Sequence, residues 1–149
     1  MTIDSDWYTV TGKPVTPQKV KTGELFLIHL SVTAKERVPY ALIVHLLPAG
    51  FELENQNLEH AIKLDEFRID GKSVRELQEA TPLKHREYRD DRFVAALDQN
   101  PWSPGHLFFL VRAVTPGVYQ VPPPQVEDMY RPEIRAIGHS LQPIEVVSP

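Results

Sequence analysis

Glu24 to Thr33 alternates between two faces along its whole length. Phe26, Ile28, Leu30 and Val32 fall on one side, and Leu25, Leu27, His29 and Ser31 on the other. A two-residue period of this length predicts a strand with one fully apolar face. Val38 to Leu47 is nearly continuously apolar, which predicts a strand covered on both faces. It stops at Pro48-Ala49-Gly50. Leu107 to Thr115 is a third strong strand, closed by Thr115-Pro116-Gly117. Shorter runs at Trp7–Val10, Val118–Val121, Ile134–Ile137 and Ile144–Val147 lie between proline and glycine signals. His85–Tyr88 and Arg92–Leu97 flank Arg89-Asp90-Asp91, and Asp is a good turn former, so these two runs predict a hairpin.

Between Phe51 and Leu83 the alternation weakens. Ser73-Val74-Arg75-Glu76 matches a capping box, in which hydroxyl and carboxylate satisfy backbone donors at a helix start. It predicts one short helix over Val74–Ala80, stopped before Pro82. Asn57–Leu64 offers a second helical turn, and the whole stretch reads as an excursion outside the sheets. About eight or nine short strands with regular turn signals make this an all-β, antiparallel β-sandwich with one short helix.

The composition narrows what such a sandwich does. The chain has 149 residues, 16 basic and 20 acidic, for a net charge of −4. One domain is the expectation at this length. The negative balance argues against binding nucleic acid, whose phosphates require a basic surface. It argues equally against a polybasic membrane module. No apolar run approaches a membrane span. Met1–Asp6 lacks the basic and apolar regions of a signal peptide, which leaves either a cytosolic protein or a piece of a longer secreted chain. There are 14 prolines and no cysteine. Without cysteine there is no disulfide, thiolate nucleophile or iron–sulfur site.

Catalytic chemistry finds little support. His29, His45, His60, His85, His106 and His139 are scattered, with no short ligand pair and no Cys to complete a zinc set. There is no G-x-S-x-G. Asp90 and Asp91 are adjacent carboxylates, but with Arg86, Glu87, Arg89 and Arg92 they fit cross-strand ion pairs on a hairpin better than acid–base work. No catalytic residue, metal site or cofactor is expected. Trp7, Tyr8, Tyr88 and Trp102 are available for a carbohydrate platform, although a sandwich core also consumes aromatics. One segment stands apart. Pro122-Pro123-Pro124-Gln125-Val126-Glu127-Asp128-Met129-Tyr130-Arg131-Pro132 braces a Met-Tyr pair between prolines. A flexible thioether beside an amphipathic aromatic on a preordered loop suits docking into another protein. The same pair also suits plugging the end of the sandwich, and the two readings stand level on composition.

Four stretches together resemble a known family. They are Trp7-Tyr8 with Gly12-Lys13-Pro14 and Lys21-Thr22-Gly23-Glu24; Leu46-Leu47-Pro48-Ala49-Gly50-Phe51-Glu52; His85 through Ala96; and Arg112 through Val121 continuing to Pro124–Pro132. In this order, over residues 7–149, they resemble the C-terminal macroglobulin-like domain of bacterial alpha-2-macroglobulins, which implies a leader or linker at Met1–Asp6 ahead of a domain at 7–149. His45, where the family leads us to expect an acidic residue, and the Asn57–Leu83 stretch depart from the pattern.

The resemblance implies a macroglobulin-like (fibronectin-like) sandwich that is not an enzyme. It implies an interaction domain of a periplasmic protease inhibitor with a role in host defence, its parent lipid-anchored to the inner membrane. The partner it implies is the thioester domain of the same parent chain, with target proteases reached through the parent. Met129 would shield the thioester before activation and Tyr130 would stand beside it, with Glu127 and Pro132 in the same contact. The isolated domain is expected to be monomeric, without nucleic acid or membrane insertion. A second reading keeps the fold and changes the role to that of a surface module binding cell-wall glycan or a peptidoglycan-synthesis partner such as a penicillin-binding protein.

Overall fold

A computed structural model describes residues 1–54 and 58–149. The first sheet is built from β1 (Thr2–Thr9), β2 (Pro14–Val15), β4 (Leu25–Thr33), β6 (Phe51–Leu53) and β11 (Gly105–Ala113), in the order β2-β1-β4-β11-β6. The second contains β5 (Val38–Leu46), β9 (Leu83–Tyr88), β10 (Arg92–Gln99), β13 (Gln125–Asp128) and β14 (Arg135–Ile137), in the order β14-β13-β5-β10-β9. Every pairing in these two sheets is antiparallel. A third sheet of β12 (Gly117–Tyr119), β15 (Ile144–Val147) and β3 (Lys19–Lys21) contains a parallel pair, β15 with β3. The described strands outnumber the eight or nine expected because several are two- and three-residue edge segments.

The alternation in β4 sorts its side chains as the sequence predicts. Phe26, Ile28, Leu30 and Val32 enter the main core with Ile43, Phe93, Leu97, Phe109 and Val126. Phe93 and Phe109 stack across that core with centroids 4.6 Å apart. Leu27 faces the other way, into a second core with Phe108, Leu110, Phe67, Val74 and Leu77. That second core explains the excursion. The stretch carrying α1 (Leu58–Ala61), the β7–β8 ribbon (Arg68–Ile69 and Lys72–Ser73) and α2 (Val74–Glu79) covers the outer face of the first sheet. Ser73 caps α2, its hydroxyl accepting from the Glu76 N–H at 3.1 Å. Of the turn expected over 57–64, Asn57 lies outside the described residues.

Two expectations are corrected. β5 is not covered on both faces: Val38, Ala41, Ile43 and His45 are buried, while Tyr40, Leu42, Val44 and Leu46 on the outer face are half-buried. No excursion crosses that side among the described residues, so apolar character there does not report a second layer. On the β9–β10 hairpin, the ion pairs run along the chain and not across it. Glu87 pairs with Arg89 at 2.9 Å and shares a 2.6 Å hydrogen bond with His85, and Asp91 takes its neighbour Arg92. At the start of the chain, residues 2–6 run as the first part of β1, paired with β4 from Thr2↔Thr33 onward, and Ile3 is in the core.

Candidate functional site

The Met-Tyr segment leaves β13 at the end of the second sheet. Its first part is more regular than a loop: Gln125–Asp128 pairs with β5 on one side and, through Glu127, with β14 on the other. Glu127 lies opposite Leu42 and Arg135. Val126 is in the core, and Pro124 is buried. Past Asp128 the chain turns and leaves Met129 48% and Tyr130 73% exposed. Pro132 is exposed as well. Plugging the sandwich end is therefore not what Met129 and Tyr130 do.

Their backbone is held closely although their side chains are exposed. The Met129 N–H donates to the Tyr40 carbonyl at 3.0 Å, which extends the β13–β5 ladder by one residue. The Asp128 N–H donates to the Ile134 carbonyl at 2.9 Å, and the Ile134 N–H to the Arg131 carbonyl at 2.9 Å. The Asp128 carboxylate is buried, at 1% exposure for the residue, and works inside the turn. One oxygen accepts from the Tyr130 N–H at 2.9 Å and the Arg131 N–H at 3.3 Å; the other accepts from Arg131 Nε at 3.0 Å. Burial pushes this carboxyl up, but the three bonds and the Arg131 charge outweigh it and hold it below the usual carboxylate range. Arg131 also reaches Glu36 at 3.5 Å.

The exposed ring has a buttress. Tyr130 packs edge-on against Tyr40, centroids 5.4 Å apart, and the Lys84 ammonium sits 3.6 Å over the Tyr40 ring. A cation over a tyrosine face is attracted by the ring quadrupole. The site thus joins β13, β5 and β9, three strands remote in sequence. Sequence reasoning singles out Met129, Tyr130, Glu127 and Pro132, and misses Asp128, Tyr40, Lys84 and Arg131. Asp128 had a signal: an Asp two residues before a turn position bonds its own backbone. Tyr40 and Lys84 had none, because only the sheet register brings them there.

The other candidate chemistry disperses. Trp7 is in the main core, edge-on to Phe51, and Tyr8 packs against Phe67. Tyr88 and Trp102 are exposed but lie off opposite ends of β10, about 20 Å apart at strand rise. These aromatics do not assemble into one flat platform. His29 and His106 stack and share a 2.9 Å hydrogen bond on the outer face of the first sheet. His45 is buried against Phe109.

Comparison with known proteins places this geometry. Residues 1–133 match a family model described as the bacterial alpha-2-macroglobulin MG10 domain. That range includes Thr2–Asp6 and the Met129–Tyr130 turn. An alpha-2-macroglobulin of Xylella fastidiosa (strain Temecula1) is 49% identical over 132 residues, 89% of this chain and 8% of that protein. The crystal structure of native Escherichia coli alpha-2-macroglobulin from domain MG7 to the C-terminus superposes with TM-score 0.86 at 42% identity, over 99% of this chain and 23% of that one. Salmonella alpha-2-macroglobulin reacted with methylamine superposes with TM-score 0.84 at 41% identity, over 99% of this chain and 9% of that one. The chain thus spans under a tenth of the curated relative's length.

Proposed function

The chain belongs to the MG10 domain family of bacterial alpha-2-macroglobulins, and from that premise we propose that it is a non-enzymatic docking domain of a protease-trapping inhibitor. In this reading it packs against the thioester domain of its own parent chain. Met129 covers the thioester before activation, Tyr130 stands beside it, and Glu127 and Pro132 border the contact. The parent works in the periplasm, held to the inner membrane by a lipid, and meets its target proteases there. One observation carries the reading: a turn whose Met129, Tyr130 and Arg131 N–H groups are all engaged presents the Met129 and Tyr130 side chains to whatever lies outside the domain.

The chemistry is consistent with that role. A thioester survives only where water is excluded, and an apolar side chain laid over it excludes water. The shield must also leave on activation, which favours a small contact. With no cysteine in the chain, the reactive bond lies outside it. Methylamine, the reagent named for the Salmonella relative, provides the test. Met129→Ala in the full-length parent should raise reactivity toward methylamine without any protease present. Unchanged reactivity would sink the assignment of Met129.

A further inference from the structure

We infer that Asp128 is the positioning residue of the Met129–Tyr130 contact, its buried carboxylate acting as the template on which the exposed turn is wound. The inference rests on the docking role proposed above and adds a residue to it. Three observations converge. First, Asp128 is the buried carboxylate at 1% exposure, immediately before the exposed Met129 and Tyr130. Second, both of its oxygens are engaged, and every donor belongs to the turn itself: Tyr130 N–H, Arg131 N–H and Arg131 Nε. Third, nothing else accepts from the Tyr130 N–H among the described bonds, so Asp128 alone fixes the peptide that joins Met129 to Tyr130.

A buried carboxylate with three converging donors is a strong local constraint, because hydrogen bonds to a charged acceptor exceed neutral ones. Here the constraint is applied to the backbone and leaves the Met129 and Tyr130 side chains outside. Tyr40 and Lys84 steady the Tyr130 ring from a second direction. Docking through a turn ordered beforehand loses little conformational freedom on contact. A floppy Met-Tyr pair of the same composition would have to be ordered at the interface and would cover its target only part of the time.

The test separates positioning from stability, and both from the shielding role. Amide hydrogen exchange by NMR is followed at Tyr130 and Arg131 and, as reference, at Ala95 and Leu97 in the middle of β10. Asp128→Ala should speed exchange at Tyr130 at least tenfold beyond any change at the β10 amides. Equal acceleration at all four means general destabilisation and overturns the inference. Should Asp128→Ala not fold, Asp128→Asn carries the test. It keeps the oxygen that accepts from the Tyr130 and Arg131 N–H groups but loses the charge that strengthens both bonds and faces Arg131 Nε, so a roughly threefold excess over the β10 amides is expected at Tyr130 and Arg131 and none overturns it. In the full-length parent, Asp128→Ala should reproduce at least half of the rise in methylamine reactivity caused by Met129→Ala. The double variant should react no faster than Met129→Ala alone. A rise with Met129→Ala and none with Asp128→Ala defeats the positioning role and leaves the shielding role standing. No rise with Met129→Ala defeats the shielding role, and the exchange at Tyr130 still decides whether Asp128 winds the turn.

Discussion

At the scale of single residues, two buried histidines have lost the water that normally lets imidazole titrate near neutrality, and a third has lost part of it. Burial lowers His45 from 6.5 to about 4, opposed only by its bond to the Pro122 carbonyl. Burial, and then the neighbouring His106, lowers His29 from 6.5 to about 4. His106, half out of the protein, is lowered in the same direction by burial and by Lys72. The consequence for stability has a definite sign. Between pH 4 and 6.5 the unfolded chain binds protons at positions 29 and 45 that the folded chain refuses. Stability is therefore fully present above about pH 6.5 and falls as the pH drops toward 4, by up to roughly 3 kcal/mol for each ring. Urea midpoints across pH 4–8 should show that slope, and the pair of changes His29→Gln and His45→Gln should flatten it. A flat profile in the unaltered chain would mean that the two rings are hydrated or protonated in the folded state. Asp128 acts in a separate window, because a carboxylate held below its ordinary value loses its contribution only as the pH falls below about 4. The sandwich interior holds His45 as a neutral ring.

At the scale of elements, most of the strands were readable because alternation is a direct consequence of strand geometry. Phe26, Ile28, Leu30 and Val32 could only share a face if Glu24–Thr33 was extended, and they do. What alternation does not carry is the identity of the neighbouring layer. Leu42 and Val44 have the same apolar character as Leu27 and Leu110, yet only the latter two are covered. The hairpin charges likewise revealed a hairpin but not its pairing, since register decides which carboxylate meets which guanidinium. The turn at Pro48-Ala49-Gly50 was readable as a stop, and its reason is spatial. A methyl on Gly50 would sit 2.2 Å from the Tyr119 ring, 69 positions on in the chain. Tyr119 is fixed in turn, its hydroxyl donating to the Thr115 and Pro116 carbonyls at 2.9 and 3.0 Å. Gly50→Ala should therefore destabilise the domain by about 1–3 kcal/mol, in the range of overpacked sites. Tyr119→Ala, which opens that space, should remove most of the penalty when combined with it. Additive effects in that denaturation cycle would show that the ring is not what excludes the methyl.

At the scale of the whole molecule, the two faces of the sandwich have different fates. The first sheet is roofed by the α1–α2 excursion, and its outward Leu27, Phe108 and Leu110 are satisfied within the domain. The second sheet has no such roof among the described residues over its half-buried Leu42 and Val44, and the Met129–Tyr130 turn leaves from the strand beside them. The domain is therefore finished on one side and open on the side that carries the candidate contact. Such an arrangement suits a part of a larger machine better than a free inhibitor. The chain supplies no cysteine, and its match covers only 8% of the curated Xylella relative. If trapping needs a thioester that lies elsewhere in the parent, these 149 residues, with no cysteine, carry no such bond to close on a protease. We expect the chain alone, in large molar excess, to leave the rate of casein cleavage by trypsin and by elastase unchanged. It should also be recovered intact apart from cuts in exposed segments. Inhibition by the chain alone would place the inhibitory surface inside this domain, and the unroofed second sheet would then have to be read as the protease's site and not as the parent's.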